Sequence, residues 1–195
     1  MKIETRKQEI ILTAAKLFKE KGYSAVTMRD LAADMGIKAA SLYNHINSKQ
    51  AILKDIIISL AEEFTIGMET ILASDEDAID KLKKIIALHV SITSNNTFGM
   101  ASLNNDWMHL EEQLEYYLEL RRNYEDNFKE IIKGGVAEGV IINENPEIMA
   151  FTMLSTLRSL YLWIPKKEDL NPQNLSESLS KLLINGIRHN SENIL

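Results

Sequence analysis

Between Thr27 and Lys49 the chain gathers Arg29, Lys38, Ser41, Tyr43, Asn44, His45 and Lys49. Cations and short hydroxyl or amide groups at this spacing suit the recognition of phosphate oxygens and base edges. They do not make a bond-breaking site. The four histidines, His45, His89, His109 and His189, show no paired spacing for a metal, and His109 with Glu112 is one isolated pair. Zero cysteines exclude disulfides, thiolate metal sites and a Cys nucleophile. No Gly-rich phosphate loop or nucleophile elbow is present. No metal and no cofactor is called for, and an enzyme is not expected.

The charge distribution agrees with the residue types. The 195 residues carry a formal net charge of -6. Residues 1–54 nevertheless hold ten Lys/Arg against five acids, net +5, while the rest hold twelve against 23, net -11. A basic end on an acidic body is the footprint of a module that meets polyanions. No run of about 18 apolar residues is present, so no membrane span is expected. The N-terminal stretch from Met1 to Glu9 is too charged for a signal peptide, which predicts a cytoplasmic protein.

The elements that must carry these groups read as helices throughout. Three prolines and eight glycines are few breakers, and no strand alternation holds. Thr5 starts a helix that Gly22 stops. Thr27-x-x-Asp30 resembles a capping box and opens a helix over Met28–Met35, with Gly36 at its left-handed end. A second short helix covers Ala39–His45, and Ser48 caps a long one from Lys49 to Leu72. Ser74 starts the next, to Thr93, followed by a loop over 94–99. One long helix is expected from Trp107 to Glu138, loosened by Gly134-Gly135. Asn145-Pro146 and Asn171-Pro172 start the last two, and the polar tail Arg188–Leu195 is expected to fray. The expectation is an all-α chain of about nine helices. Residues 1–50 form a helix-turn-helix domain, and residues 51–195 a helical effector-binding and dimerisation domain.

Residues 27–49 meet the demands of a helix-turn-helix. Ala32 is small where two helices cross, and Gly36 follows four residues later in the turn. Leu31, Ile37, Leu42 and Ile46 plug the angle between the helices. Lys38, Ala39, Ala40, Ser41, Tyr43, Asn44 and His45 are left to face outward, and all are small, polar or basic, as entry into a major groove requires.

These residues resemble the DNA-binding domain of the tetracycline-repressor (TetR) family. The resemblance is carried by Ile10–Phe18, Gly22-Tyr23, Val26–Ala32, Gly36-Ile37 and Ser41–Lys49. It covers about a quarter of the chain; the body agrees only in length and helicity. It implies a homodimeric regulator of double-stranded DNA operators that is released when a small molecule enters the body. It also implies roles for matching positions: Thr27, Tyr43, His45 and Lys49 as phosphate or groove-wall contacts, and Ala39, Ala40, Ser41 and Asn44 as base-facing residues. Arg29 and Lys38 raise the local potential. Tyr43 has a second reading as a half-buried core tyrosine. Gly or Pro is frequent in the family where this chain has Ala40, so base contact there falls to a methyl group.

The body offers candidates for an effector site. His89 lies on an apolar face with Ile85, Ile86 and Ile92, as a satisfied core histidine or as a ligand contact. Trp107 and Met108 follow the polar turn Asn104-Asn105-Asp106. Tyr117, Arg121 and Tyr124 recur at i, i+4, i+7. Arg121 either faces a cavity and pairs an anionic ligand or faces water and pairs Glu125. Leu157–Pro165 resembles family members that sense fatty or steroid acyl-CoA thioesters, which implies an apolar effector or an acyl-CoA. Phe151, Leu154, Arg158 and Tyr161 on one helix and Leu175, Leu179 and Leu182 on the next supply apolar faces for a four-helix dimer interface. A helical scaffold, or an activator without a ligand, is the competing reading.

Overall fold

The computed structural model describes residues 5–187; the tail Arg188–Leu195 lies outside them. Among the described residues there are nine α-helices and no β-strand. They are α1 (Arg6–Lys21), α2 (Met28–Asp34), α3 (Ala39–Tyr43), α4 (Lys49–Leu72), α5 (Ala78–Asn95), α6 (Thr97–Asn105), α7 (Leu114–Ala137), α8 (Pro146–Trp163) and α9 (Pro172–Asn185). Short 3-10 turns lie at Tyr23–Ala25, Trp107–His109, Glu111–Gln113 and Ile164–Lys166. None of the described helices is long and apolar enough to cross a membrane.

The helix starts follow from side chains that satisfy orphan backbone N–H groups. Thr5 Oγ1 accepts from the Gln8 N–H at 3.2 Å, and Gln8 Oε1 accepts from the Thr5 N–H at 3.0 Å. Thr27 and Asp30 form the same reciprocal box at the start of α2. Ser48 Oγ accepts from the Ala51 N–H at 3.0 Å and opens α4. Asn145 and Asn171 cap α8 and α9, each followed by Pro at the first helical position. Gly36 has φ +65°, and the Ile37 N–H donates to Ala32 O while the Gly36 N–H donates to Ala33 O. This pair of bonds is a Schellman ending, and it turns the chain from α2 into α3.

Four segments differ from the sequence reading, each for a local reason. The helix expected from Ser74 begins at Ala78, because Asp77 Oδ1 takes the Asp80 N–H and Ser74 donates back to Ile71 O. The loop expected over 94–99 already contains the start of α6. Asn96 caps it, and a Cβ on Gly99 would sit 2.6 Å from the Asn96 side-chain oxygen. The single helix expected from Trp107 is replaced by two 3-10 turns before α7, and Glu111, the first residue of the second turn, has φ +47°. Gly135 does not loosen α7: a Cβ there would meet Ile141 at 2.5 Å and Ala78 at 2.8 Å, so glycine permits close packing.

The chain packs as two compact units, each with its own core. The first comprises residues through Glu63 together with Asn95–Leu120. Its core contains Ile10, Leu17, Phe18, Leu31, Leu42, Ile52, Leu53, Ile57 and Met100, and α1 packs on both α2 and α6. The second comprises Phe64–Ser94 with Arg121 onward. Its core contains Met68, Leu82, Ile85, Ile86, Phe128, Ile132 and Leu157. Gly67 lies where a Cβ would come within 2.5 Å of the Leu88 side chain.

Candidate nucleic-acid interface

In the first unit, α3 is held by two apolar anchors. Leu42 is fully buried and Ile46 nearly so. Lys38, Ala40, Ser41, Tyr43, Asn44 and His45 are exposed, and Ala39 is half-buried. Tyr43 is 53% exposed, which removes its reading as a half-buried core tyrosine. His45 lies past the helix end, in a turn where its N–H donates to Leu42 O. From Gly36 to Lys54 the sequence contains no carboxylate. α3 and the residues flanking it in sequence therefore contribute only neutral groups and cations, which favours the approach of an anionic backbone.

Thr27 and Arg29 stand at the start of α2. The Thr27 hydroxyl donates to Asp30 Oδ2 at 2.6 Å, and the Thr27 N–H donates to the same oxygen at 2.8 Å. Those bonds hold the Asp30 carboxyl below its usual range. Thr27 is thus occupied as a cap, and Arg29 is exposed beside it.

Lys49 is placed differently from a free phosphate clamp. Its Nζ donates to Val26 O at 2.8 Å and to Tyr23 O at 2.9 Å, and sits 4.2 Å from the Tyr23 ring centroid. The Tyr23 ring stacks on His109 at 5.1 Å, and Gln50 Nε2 donates to His109 O at 2.7 Å. Sequence reasoning had no access to this cluster, because its contacts join residues 23 or more positions apart.

The effector candidates fall into two groups. In the first unit, Trp107 stacks near Tyr117 at 6.1 Å, Tyr117 donates to Leu103 O, and Met108 is exposed. In the second unit, His89 and Tyr124 are buried together. His89 Nε2 lies 3.0 Å from the Tyr124 hydroxyl, and Phe64 packs 4.6 Å from the imidazole. His89 Nδ1 is buried without a hydrogen-bond partner. Burial, then the nearby Arg158 guanidinium, pushes the imidazole down to about pKa 3. Burial raises the Tyr124 hydroxyl against the opposing pull of Arg158. Both side chains are therefore neutral at physiological pH. Arg121 pairs Glu125 at 3.1 Å, the second of its two readings, and Arg158 donates to the same carboxylate at 2.6 Å.

On α8 and α9, Phe151 and Leu182 are 72% and 73% exposed. Leu154, Tyr161 and Leu175 are instead buried inside the unit, and Leu179 and Arg158 are half-buried. The outward stripe of α8 is Ile148, Phe151 and Leu162, of which the sequence reading singled out only Phe151. That outward face also carries the exposed Thr152, Ser155 and Ser159, so its apolar side chains are interleaved with hydroxyls and do not read as a continuous stripe.

Comparison with known proteins agrees with this arrangement. The profile described as "Bacterial regulatory proteins, tetR family" matches residues 10–56, and that described as "Tetracyclin repressor-like, C-terminal domain" matches residues 75–187. The HTH-type transcriptional repressor KstR2 of Rhodococcus jostii is 26% identical over 151 residues, covering 76% of this chain and 74% of that protein. The solved ketosteroid transcriptional regulator KstR2 of Mycobacterium tuberculosis superposes with a TM-score of 0.89 at 18% identity, over 97% of this chain and 98% of that one. AibR, solved in complex with isovaleryl coenzyme A and operator DNA, superposes with a TM-score of 0.74 at 19% identity, over 92% and 98%. A helix-turn-helix with an outward, acid-free second helix, and a family match over more than half its length, place this chain in the TetR family of bacterial regulatory proteins, which regulate transcription by binding DNA.

Proposed function

We propose that this regulator is a repressor that binds a double-stranded operator as a homodimer and leaves it when a small molecule binds the body. The observation that carries the reading is the exposed face of α3, with Leu42 as its buried anchor and no carboxylate from Gly36 to Lys54. Ala40, Ser41 and Asn44 stand at base edges, with Tyr43, His45 and Lys38 toward the phosphates. Dimerisation uses the exposed apolar side chains Phe151, Leu182 and Ile148, which give two subunits a self-complementary surface. Each dimer presents its reading helices about one DNA turn apart, roughly 34–36 Å. The protein acts on the cell's own DNA, in the cytoplasm. We assign the reading of DNA to residues 1–50 and sensing and dimerisation to residues 51–195.

The effector is an apolar molecule or an acyl-CoA thioester: AibR was solved with isovaleryl coenzyme A, and the KstR2 name points to a ketosteroid derivative. His89 and Tyr124 support this reading. They offer neutral hydrogen-bonding atoms in an aromatic surround, which suits a carbonyl or hydroxyl oxygen better than a bare carboxylate. To release DNA, the effector must favour the unbound form by about 1–3 kcal/mol. A gel shift on a duplex selected from a random pool, titrated with isovaleryl-CoA and longer-chain acyl-CoAs, tests the proposal. Release by an acyl-CoA but not by free CoA supports it. Binding that tightens with the thioester would make the protein a co-repressed or activating regulator instead.

A further inference from the structure

Lys49 stands at the start of α4, directly after the helix-turn-helix, yet its ammonium points back to the segment before that motif. It donates to Tyr23 O and Val26 O at 2.9 and 2.8 Å. Val26 immediately precedes Thr27, the cap of α2. One side chain thus ties the entry of residues 27–48 to their exit. A charged donor shared between two carbonyls makes stronger bonds than a neutral one, and the Tyr23 ring lies 4.2 Å below the cation.

The tie extends to a third segment. Tyr23 stacks on His109 with ring centroids 5.1 Å apart and planes 26° from parallel. Gln50, the residue after Lys49, donates to the His109 carbonyl at 2.7 Å. His109 belongs to the 3-10 turns that interrupt the chain between α6 and α7, next to the left-handed Glu111. Burial, then the carboxylates of Glu111 and Asp106, raise the Tyr23 hydroxyl, so this ring stays neutral between cation and imidazole.

We infer that Lys49 is a positioning residue for DNA binding rather than a phosphate contact, and that with His109 it acts through Tyr23 to hold the helix-turn-helix at its docking angle. The inference rests on the reading of α3 as the DNA-docking helix. Its consequence is specific: the cation matters for affinity, but it neutralises no phosphate and releases no counterion.

The test uses the full chain and a duplex selected by it from a random pool, with affinity measured against salt. Lys49→Met keeps the stem and removes the ammonium. It is expected to weaken binding about tenfold at fixed salt, with the slope of log affinity against log salt as in the wild type. Lys49→Arg, which can still donate to both carbonyls, restores most of the affinity. His109→Ala weakens binding by a smaller factor, and the double variant is less than additive because both act through one ring. A slope lowered by about one in Lys49→Met would assign Lys49 to a phosphate and overturn the inference. So would wild-type affinity in both Lys49→Met and His109→Ala. If Lys49→Met fails to fold, as read by its melting curve, His109→Ala and Gln50→Ala decide: weaker binding at an unchanged slope supports the tie, and wild-type affinity in both refutes it. A wild-type chain that selects no duplex removes the docking reading and this inference together.

Discussion

His89 Nε2 and the Tyr124 hydroxyl meet at 3.0 Å inside the second unit, while His89 Nδ1 is buried without a partner. A neutral imidazole in that position resists protonation, since charging it would strand a cation away from water and near Arg158. The folded pKa, about 3, lies below the ordinary imidazole value of 6.5 that holds in the unfolded chain. The unfolded chain therefore binds the extra proton between those values, and stability falls as pH drops below about 6.5. Thermal melts from pH 7.5 to 5 are expected to show a clear loss for the wild type and a flatter profile for His89→Leu. Parallel profiles would contradict the burial of a neutral His89.

Glu125 receives Arg121 at 3.1 Å and Arg158 at 2.6 Å. Burial pushes its carboxyl up, but the bonds and charge of the two guanidinium groups prevail and hold it below the usual range. The side chain is about a third exposed, so solvent screens part of the gain. Glu125→Gln is expected to cost about 1–2 kcal/mol in urea unfolding, because both guanidinium groups lose the Glu125 charge. An unchanged unfolding midpoint would show the network to be energetically idle.

Phe151 and Leu182 expose large apolar surface that a lone subunit gains nothing by displaying. Phe151→Glu and Leu182→Glu remove no core contact, so each chain is expected to fold. Sedimentation should then report monomers, or a dimer constant weakened by at least about a hundredfold, since a carboxylate would be buried unpaired at the interface. Dimers of unchanged stability would move the interface elsewhere.

Lys38 is an exposed cation at the start of α3. Lys38→Met is expected to weaken binding uniformly across duplex sequences and to lower the salt slope by about one. A change in base preference with the slope intact would make Lys38 a base reader.

How far the sequence led depended on the range of the interaction concerned. Helix starts at Thr5, Thr27, Asn145 and Asn171 are decided within four residues, and they were legible. So was the turn at Gly36, because a positive φ there selects glycine. The exposed face of α3 was legible too, since Leu42 and Ile46 alone can anchor so short a helix. The break over residues 106–113 was not. Hydrophobic periodicity runs through it, and only the left-handed Glu111 and the tertiary seat of Leu110 reveal it. The partners of Lys49 and of His89 lie far along the chain, so their chemistry came from the fold. The start of α6 was hidden for a different reason: Asn96 caps it from within a polar run that reads as a loop.

Ala40 is exposed on the outward face of α3, in a stretch free of carboxylates. Ala40→Glu alters no buried contact, and glutamate is a good helix former, so the variant is expected to fold as the wild type does. Affinity of wild type and variant for a duplex selected by the wild type, measured by fluorescence anisotropy across a salt series, tests the docking of this helix most directly. The expected result is steeply salt-dependent wild-type binding and a loss of at least about a hundredfold in the variant, because a carboxylate would be driven against the phosphates and base edges. Binding that ignores salt, or a variant that binds as tightly as the wild type, would contradict it.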